Sequence, residues 1–183
     1  MNRFVIRGLV FALVAVAALP ALATQIIQQS PQQLAQESAL IVDGKVSGVR
    51  SYWNEDHSKI LTETTVVVGA THKGTGASTV RVLQLGGVVG NVRQTAHGAL
   101  SWKRGEEVLL FLEPATAGTY QVAGFSQGKY AIERDARTGK AFVRQDMPSD
   151  GGANAPATSS GAAASRTGNP TLEQFLNQVL PKK

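Results

Sequence analysis

The sequence predicts a mainly β chain in which seven or so short strands close as a small barrel or sandwich. Three observations carry this. Leu40 to Arg50 and a Thr- and Val-rich run from Lys59 to about His72 flank the polar break Asn54-Glu55-Asp56-His57-Ser58, the pattern of a long hairpin. Turn signals then recur about every 8–12 residues as far as Arg144. Val108-Leu109-Leu110-Phe111-Leu112 is apolar without alternation, as in a strand buried on both faces.

Taken in order, residues 1–23 read as a cleaved secretory signal. Arg3 and Arg7 precede an apolar run from Leu9 to Leu19, Pro20 breaks it, and Ala21-Leu22-Ala23 offers the small-x-small site before Thr24. The run is shorter than the roughly 20 apolar residues that span a bilayer. The expectation is export to the periplasm or beyond the cell, with no transmembrane anchor left in the mature chain. Ser30-Pro31-Gln32-Gln33 has the chemistry of a helix start: a capping serine, a proline at the first helical position and a glutamine closing a capping box. This helix is expected to end near Ser38 and to pack through Leu34.

Leu40 to Arg50 follows as a strand with small residues on one face (Val42, Gly44, Val46, Gly48), and Tyr52-Trp53 ends it. After the second long strand and the loop Lys73–Ala77, Thr79 to Leu85 is a strand, Gly86-Gly87 a turn or bulge, and Val88 to Thr95 a shorter strand. His97 to Gly105 is irregular and holds Trp102. Beyond the apolar run, Pro114 and Ala117-Gly118 turn the chain. Tyr120 to Phe125, Lys129 to Arg134 and Ala141 to Arg144 complete the strands of a β-barrel domain over 24–147.

Residues 148–169 are Gly, Ala, Ser, Thr, Asn and Pro with almost no large apolar side chain, the composition of a disordered linker. The segment 170–181 then reads as an amphipathic helix. Thr171-Leu172-Glu173-Gln174 is a second capping box, and Leu172, Phe175, Leu176, Val179 and Leu180 form one helical stripe. A helix this short is marginal alone in water, so the stripe must dock, and its own barrel is the expected place.

Composition narrows the chemistry. The chain has 183 residues, a net charge of +5 and no cysteine. Arg3 and Arg7 carry two of those charges, leaving a mature chain that is only mildly basic. Its charges are scattered, without the clustered basic face of a nucleic-acid binder. Zero cysteine excludes a thiol nucleophile, a redox pair, a lipid-modified cysteine and any thiolate metal site within this sequence. Stability outside the cytoplasm must therefore come from packing rather than disulfides.

Gly124-Phe125-Ser126-Gln127-Gly128 fits the G-x-S-x-G pattern of serine hydrolases. That motif needs a following helix and a later histidine. Here a strand follows, and His57, His72 and His97 all precede Ser126, so the residues read as a glycine-flanked hairpin turn. A serine-type hydrolase using Ser126 is the alternative function, and a structural envelope protein a third. The histidines lack metal-ligand spacing, Asn54-Glu55-Asp56 lacks a calcium-loop pattern, and Lys73-Gly74-Thr75-Gly76 lacks the ending and helix of a phosphate loop. No metal and no cofactor are expected. Carboxylates such as Glu63, Glu106 and Glu113 are too far apart in sequence to pair by pattern. Gly86-Gly87-Val88-Val89-Gly90 reads as a bulged barrel corner. Tyr52, Trp53, Trp102, Phe125 and Tyr130 are the candidate binding residues, because Tyr and Trp are over-used at contact surfaces.

The series Leu40–Val46, Ser51–Asn54, Gln84–Gly87, Gly105–Leu112 and Gln127–Tyr130 resembles a family of uncharacterised exported bacterial proteins over roughly residues 30–145. More distantly, Val42-Asp43-Gly44-Lys45-Val46 and Gly105 with Leu109, Phe111 and Leu112 resemble the netrin/metalloproteinase-inhibitor type of OB-like barrel. That resemblance implies a small closed or partly open OB-like barrel with a short N-terminal helix and a tethered C-terminal helix. Those inhibitors insert an N-terminal cysteine into their target, and this chain has none, so the resemblance implies the barrel rather than the inhibition. The function expected is a non-enzymatic binding module for an exported or envelope protein or a small ligand.

Overall fold

The computed structural model describes residues 28–116, 118–145 and 168–181. The expected signal peptide, and the expected linker apart from residues 168 and 169, lie outside the described residues. Two helices, α1 (Pro31–Glu37) and α2 (Leu172–Val179), flank nine strands: β1 (Leu40–Trp53), β2 (Ile60–Lys73), β3 (Thr79–Leu85), β4 (Gly87–Val89), β5 (Val92–Gln94), β6 (Glu107–Pro114), β7 (Tyr120–Val122), β8 (Lys129–Arg134) and β9 (Ala141–Gln145).

The strands β1-β2-β3-β7-β6 close on one another because β6 also pairs with β1. The main strands thus run in the order first, second, third, fifth, fourth and back to the first, with antiparallel pairs except at the β3–β7 seam. This is a small OB-like barrel, as expected. Its seam rests on one parallel pairing, Val82 with Tyr120. Beside it the Gln84 side chain acts as a surrogate strand, donating to the Leu100 carbonyl at 2.9 Å and accepting from the Leu100 amide at 3.3 Å.

The apolar run in β6 follows from its position between two cores. Val108, Leu110 and Leu112 point into the barrel with Val42, Val46, Val66, Val80 and Val122. Leu109 and Phe111 point outward, into a second cluster with Leu34, Ile41, Tyr130, Val143, Phe175 and Val179. Both helices cover this outer face. Each is started by the capping box its sequence predicts, from Ser30 and from Thr171, and the Lys73 ammonium caps the far end of α1 by donating to the carbonyls of Ala35 and Gln36. The C-terminal stripe docks on its own barrel: Phe175 and Val179 are buried, and Phe142 bridges to Thr171 at the edge of β9.

Three details differ from the sequence reading. Val88 to Thr95 is two strands, because Gly90 (φ 57°) turns the chain between β4 and β5. Gly87, also at positive φ, lies so close to the Ser51 and Thr62 hydroxyls that a Cβ would stand 2.5 Å from Ser51 Oγ, so this corner covers the inner face of the β1–β2 hairpin. Finally, the Gly124–Gly128 stretch is not a hairpin turn. β7 and β8 do not pair with each other; both run antiparallel to β6 along the same edge, Val122 opposite Leu112 and Lys129 opposite Leu110. The strand expected to reach Phe125 ends at Val122; Ala123 and Gly128 still bond to the backbone of Phe111 in β6, only 124–127 loop out between them, and the chain resumes as β8, which leaves the barrel to pair with β9.

Candidate functional site

The barrel covers its outer surface unevenly. Helices and the β8–β9 pair shield β6 and the start of β1, whereas β1 beyond Val46 pairs only with β2 among the described residues. The change is enforced by sequence: a bulge between Val46 and Gly48 shifts the register, and Val46 makes the last contacts toward β6 through the backbone of Gly105 and Glu106. The remaining arm, Gly48 to Trp53, carries the Arg50, Tyr52 and Trp53 side chains to the hairpin tip.

Tyr52 and Trp53 are half-buried there and each is backed by a neighbour. The Arg50 guanidinium lies 4.9 Å from the Tyr52 ring centroid, and the Trp53 ring stacks against His57 at 6.3 Å. Arg50 also reaches Glu63 at 3.8 Å, and Arg81 reaches the other oxygen of Glu63 at 3.7 Å, so a cation–carboxylate–cation row crosses β1, β2 and β3. The tip is well ordered by its own polar residues. Asn54 accepts from the Lys59 amide, and Asp56 accepts from both the amide and the hydroxyl of Ser58. Those bonds hold the Asp56 carboxyl below the usual carboxylate range. They also turn these oxygens into the turn. His57 completes it at a φ of 56°, in the left-handed region. The last residue of β3 and the β4–β5 pair further expose Leu85, Val88 and Val92.

The other sequence candidates lie elsewhere. Trp102 sits in the loop before β6, donating Nε1–H to Gln84 at 3.0 Å, with the Lys129 ammonium 4.5 Å from its ring centroid. Lys129 is the group that sequence reasoning missed. Its side chain is fully buried, donating to the Ser101 carbonyl at 2.6 Å and to Glu106 Oε1 at 3.1 Å. Tyr130 is a core residue, 3 % exposed, with its ring centroid 4.8 Å from that of Phe175. Its hydroxyl has no partner among the described residues, and burial pushes its pKa up to about 12. Phe125 is 75 % exposed at the excursion between β7 and β8.

Ser126, beside it, is buried at 4 % exposure, and β8 rather than a helix follows. Among the described residues no hydrogen bond joins it to a histidine; His72 Nε2 instead lies 2.7 Å from Asp43 Oδ2, across β1 and β2. The three carboxylates Glu63, Glu106 and Glu113 are engaged separately, with the two arginines, with Lys129 and with Gln121 respectively. Of the five aromatic candidates only Tyr52 and Trp53 share an element, and as consecutive strand residues they face opposite sides of β1, Tyr52 beside Arg50 and Trp53 beside His57. No family model and no curated protein sequence matches the chain.

Proposed function

We propose that the chain is an exported, non-enzymatic binding module that engages another exported or envelope protein through the free arm of its β1–β2 hairpin. The observation that carries this is that the end of β1, which pairs with β2 alone among the described strands, presents Arg50 with Tyr52 on one face and Trp53, stacked on His57 of the following turn, on the other. Arg, Tyr and Trp are the residues on which binding energy concentrates, and rings held against neighbours lose little freedom on contact. In OB-type barrels the face of the second and third strands and the loop joining the first two are common ligand surfaces, and the row Arg50–Glu63–Arg81 lies there. The barrel order supports the likeness to the netrin type of barrel, and the leader-like residues 1–23 support export. The buried Ser126 hydroxyl and the separate His72–Asp43 pair support a role without hydrolysis.

Capture from the exported fraction of the source cells tests this reading, using the chain from Thr24 onward as bait. A specific protein should be retained by the wild type and by Ser126→Ala, and lost at least about tenfold by Tyr52→Ala/Trp53→Ala. Equal retention by all three baits, or an ester or peptide turnover that Ser126→Ala abolishes, would overturn it.

A further inference from the structure

We infer that the free edge of β1, from Val49 to Trp53, pairs antiparallel with the same edge of a second copy of this chain, about a twofold axis through Ser51. The hydrogen-bond alternation of the hairpin decides which groups face that edge. The Asn54 amide donates to the Lys59 carbonyl, and the Ile60 carbonyl accepts from Gly86 on the β3 side. Alternation along the ladder then turns the backbone groups of Tyr52, Arg50 and Gly48 toward β2, opposite Leu61, Glu63 and Thr65. It turns the N–H and C=O of Val49, Ser51 and Trp53 outward. Among the described residues, no strand and no other backbone group meets these donors and acceptors.

An open strand edge is a template for another strand, and edges are ordinarily blunted by proline, lysine or a bulge. Val49-Arg50-Ser51-Tyr52-Trp53 has none of these, since the last bulge lies at Ser47. The edge is also far from the covered end of the strand. Both helices, β8 and β9 pack around Ile41, and Ser51 stands roughly 30 Å farther along β1.

The residues on the edge are complementary to themselves. Only residues whose groups point outward can exchange backbone bonds across the axis. Centred on Ser51, that residue bonds to its own copy and Val49 bonds to Trp53 of the second copy, in both directions, so every outward group is used. Centred one residue earlier, Arg50 would stand against Arg50 and Trp53 would drop out; one residue later, Val49 would drop out. The Ser51 axis sets Val49 against the Trp53 ring on one face and Arg50 against the Tyr52 ring on the other, both favourable cross-strand pairs. Arg50 already lies 4.9 Å from the centroid of its own Tyr52 ring, so the contact made within the chain is repeated across the axis. Such an arrangement is isologous and closes at two copies. The joined arms keep their side-chain faces open, so dimerisation neither requires nor excludes the partner proposed above.

Two measurements on the purified chain from Thr24 onward test this. Sedimentation equilibrium should show a monomer–dimer equilibrium with a dissociation constant of about 10–100 µM, because the contact is of the small, transient class. Val49→Pro removes an outward N–H that β2 does not use, a place where a strand tolerates proline, and should raise that constant at least about tenfold. A monomer at about 0.5 mM, or a folded Val49→Pro whose constant stays within about twofold of wild type, would overturn the inference. Disulfide trapping checks the register and decides alone if Val49→Pro fails to fold. The chain has no cysteine, so every disulfide reports an introduced thiol. The Ser51 axis makes position 50 and position 52 of the second copy a non-hydrogen-bonded pair, about 4.5 Å apart at Cα and within disulfide reach. Arg50→Cys mixed with Tyr52→Cys should therefore cross-link under mild oxidation at least about tenfold faster than either variant alone. Equal rates in the mixture and in the single variants would overturn the pairing. No other protein is present in either measurement, so a negative result leaves capture by the hairpin faces standing.

Discussion

Replacing Lys129 with methionine removes one charge from the interior while keeping most of the side-chain stem. In the wild type the ammonium is fully buried, 3.1 Å from Glu106 Oε1 and 2.6 Å from the Ser101 carbonyl, with the Trp102 ring beneath it. At an effective dielectric of about 20, charges at that separation attract by about 5 kcal/mol, a gross figure that desolvation of the ammonium offsets in part. Breaking a buried pair by removing one partner costs about 3–5 kcal/mol. Glu106 is one-fifth exposed and keeps the Lys103 amide as a donor, so water recovers some of the loss. The Ser101 carbonyl loses its donor, worth about 1 kcal/mol. The net destabilisation expected for Lys129→Met is about 2–4 kcal/mol, a fall of roughly 8–15 °C in melting temperature for a domain of this size. Urea unfolding in a Trp53→Phe background makes Trp102 the reporter, and its emission should shift to the red as the loop loosens. In the double variant Lys129→Met/Glu106→Gln the effects should fall short of additivity by about 1–3 kcal/mol. A single variant within about 0.5 kcal/mol of wild type, the range of an ordinary surface change, would refute the view that this cation fastens the 99–106 loop to β8.

Tyr130→Phe should stabilise the protein by about 1 kcal/mol, since it deletes a buried hydroxyl without a partner and leaves the ring contacts. Because the folded-state pKa of Tyr130 lies near 12 and the unfolded value near 10, the unfolded chain loses this proton first as pH rises. The associated stability is thus fully present below about pH 10 and is lost as pH climbs toward about 12. Urea midpoints at about pH 9 and about pH 11.5 should diverge less in Tyr130→Phe than in wild type. Phe175→Ala should cost about 3 kcal/mol, near the low end for a buried aromatic because the docked helix can yield, with near-ultraviolet circular dichroism from Phe111 and Tyr130 weakened. An unchanged denaturation midpoint would mean that α2 adds nothing to the packed cluster.

What the sequence made legible were features written locally. Both capping boxes stand where Ser30 and Thr171 place them, and the stripe Leu172–Leu180 is apolar because one face of α2 meets the barrel. The lack of alternation in Val108–Leu112 announced burial on two sides. Features built from distant segments were hidden. Lys129 stands between Gly128 and Tyr130 with nothing nearby to mark it as buried; its partners Glu106 and Ser101 lie 23 and 28 residues away. The glycines at 124 and 128 announce a change of direction, but not that β6 offers one continuous edge on both sides of it. The bulges of the β1–β2 hairpin, two in β2 and one at Ser47 of β1, blurred the strand faces in the same way. Each shifts the pairing by one residue, and the one at Ser47 reverses which side-chain positions of β1 face outward from Gly48 to Trp53. Tyr130 alternates with Ile132 as a core strand should, yet its ring reads from sequence as well for a surface as for an interior.

The double occupancy of β6 has a mechanical meaning. A strand that is wall to the barrel on one side and floor to the helical cluster on the other makes the two cores share a single structural member. Neither can melt while the other holds, because releasing Leu109 and Phe111 on one side also frees Val108, Leu110 and Leu112 on the other. Two modest cores so joined behave as one cooperative unit, which gives a chain without a single cross-link the all-or-none resistance to local opening that small disulfide-bonded domains obtain from their cross-links.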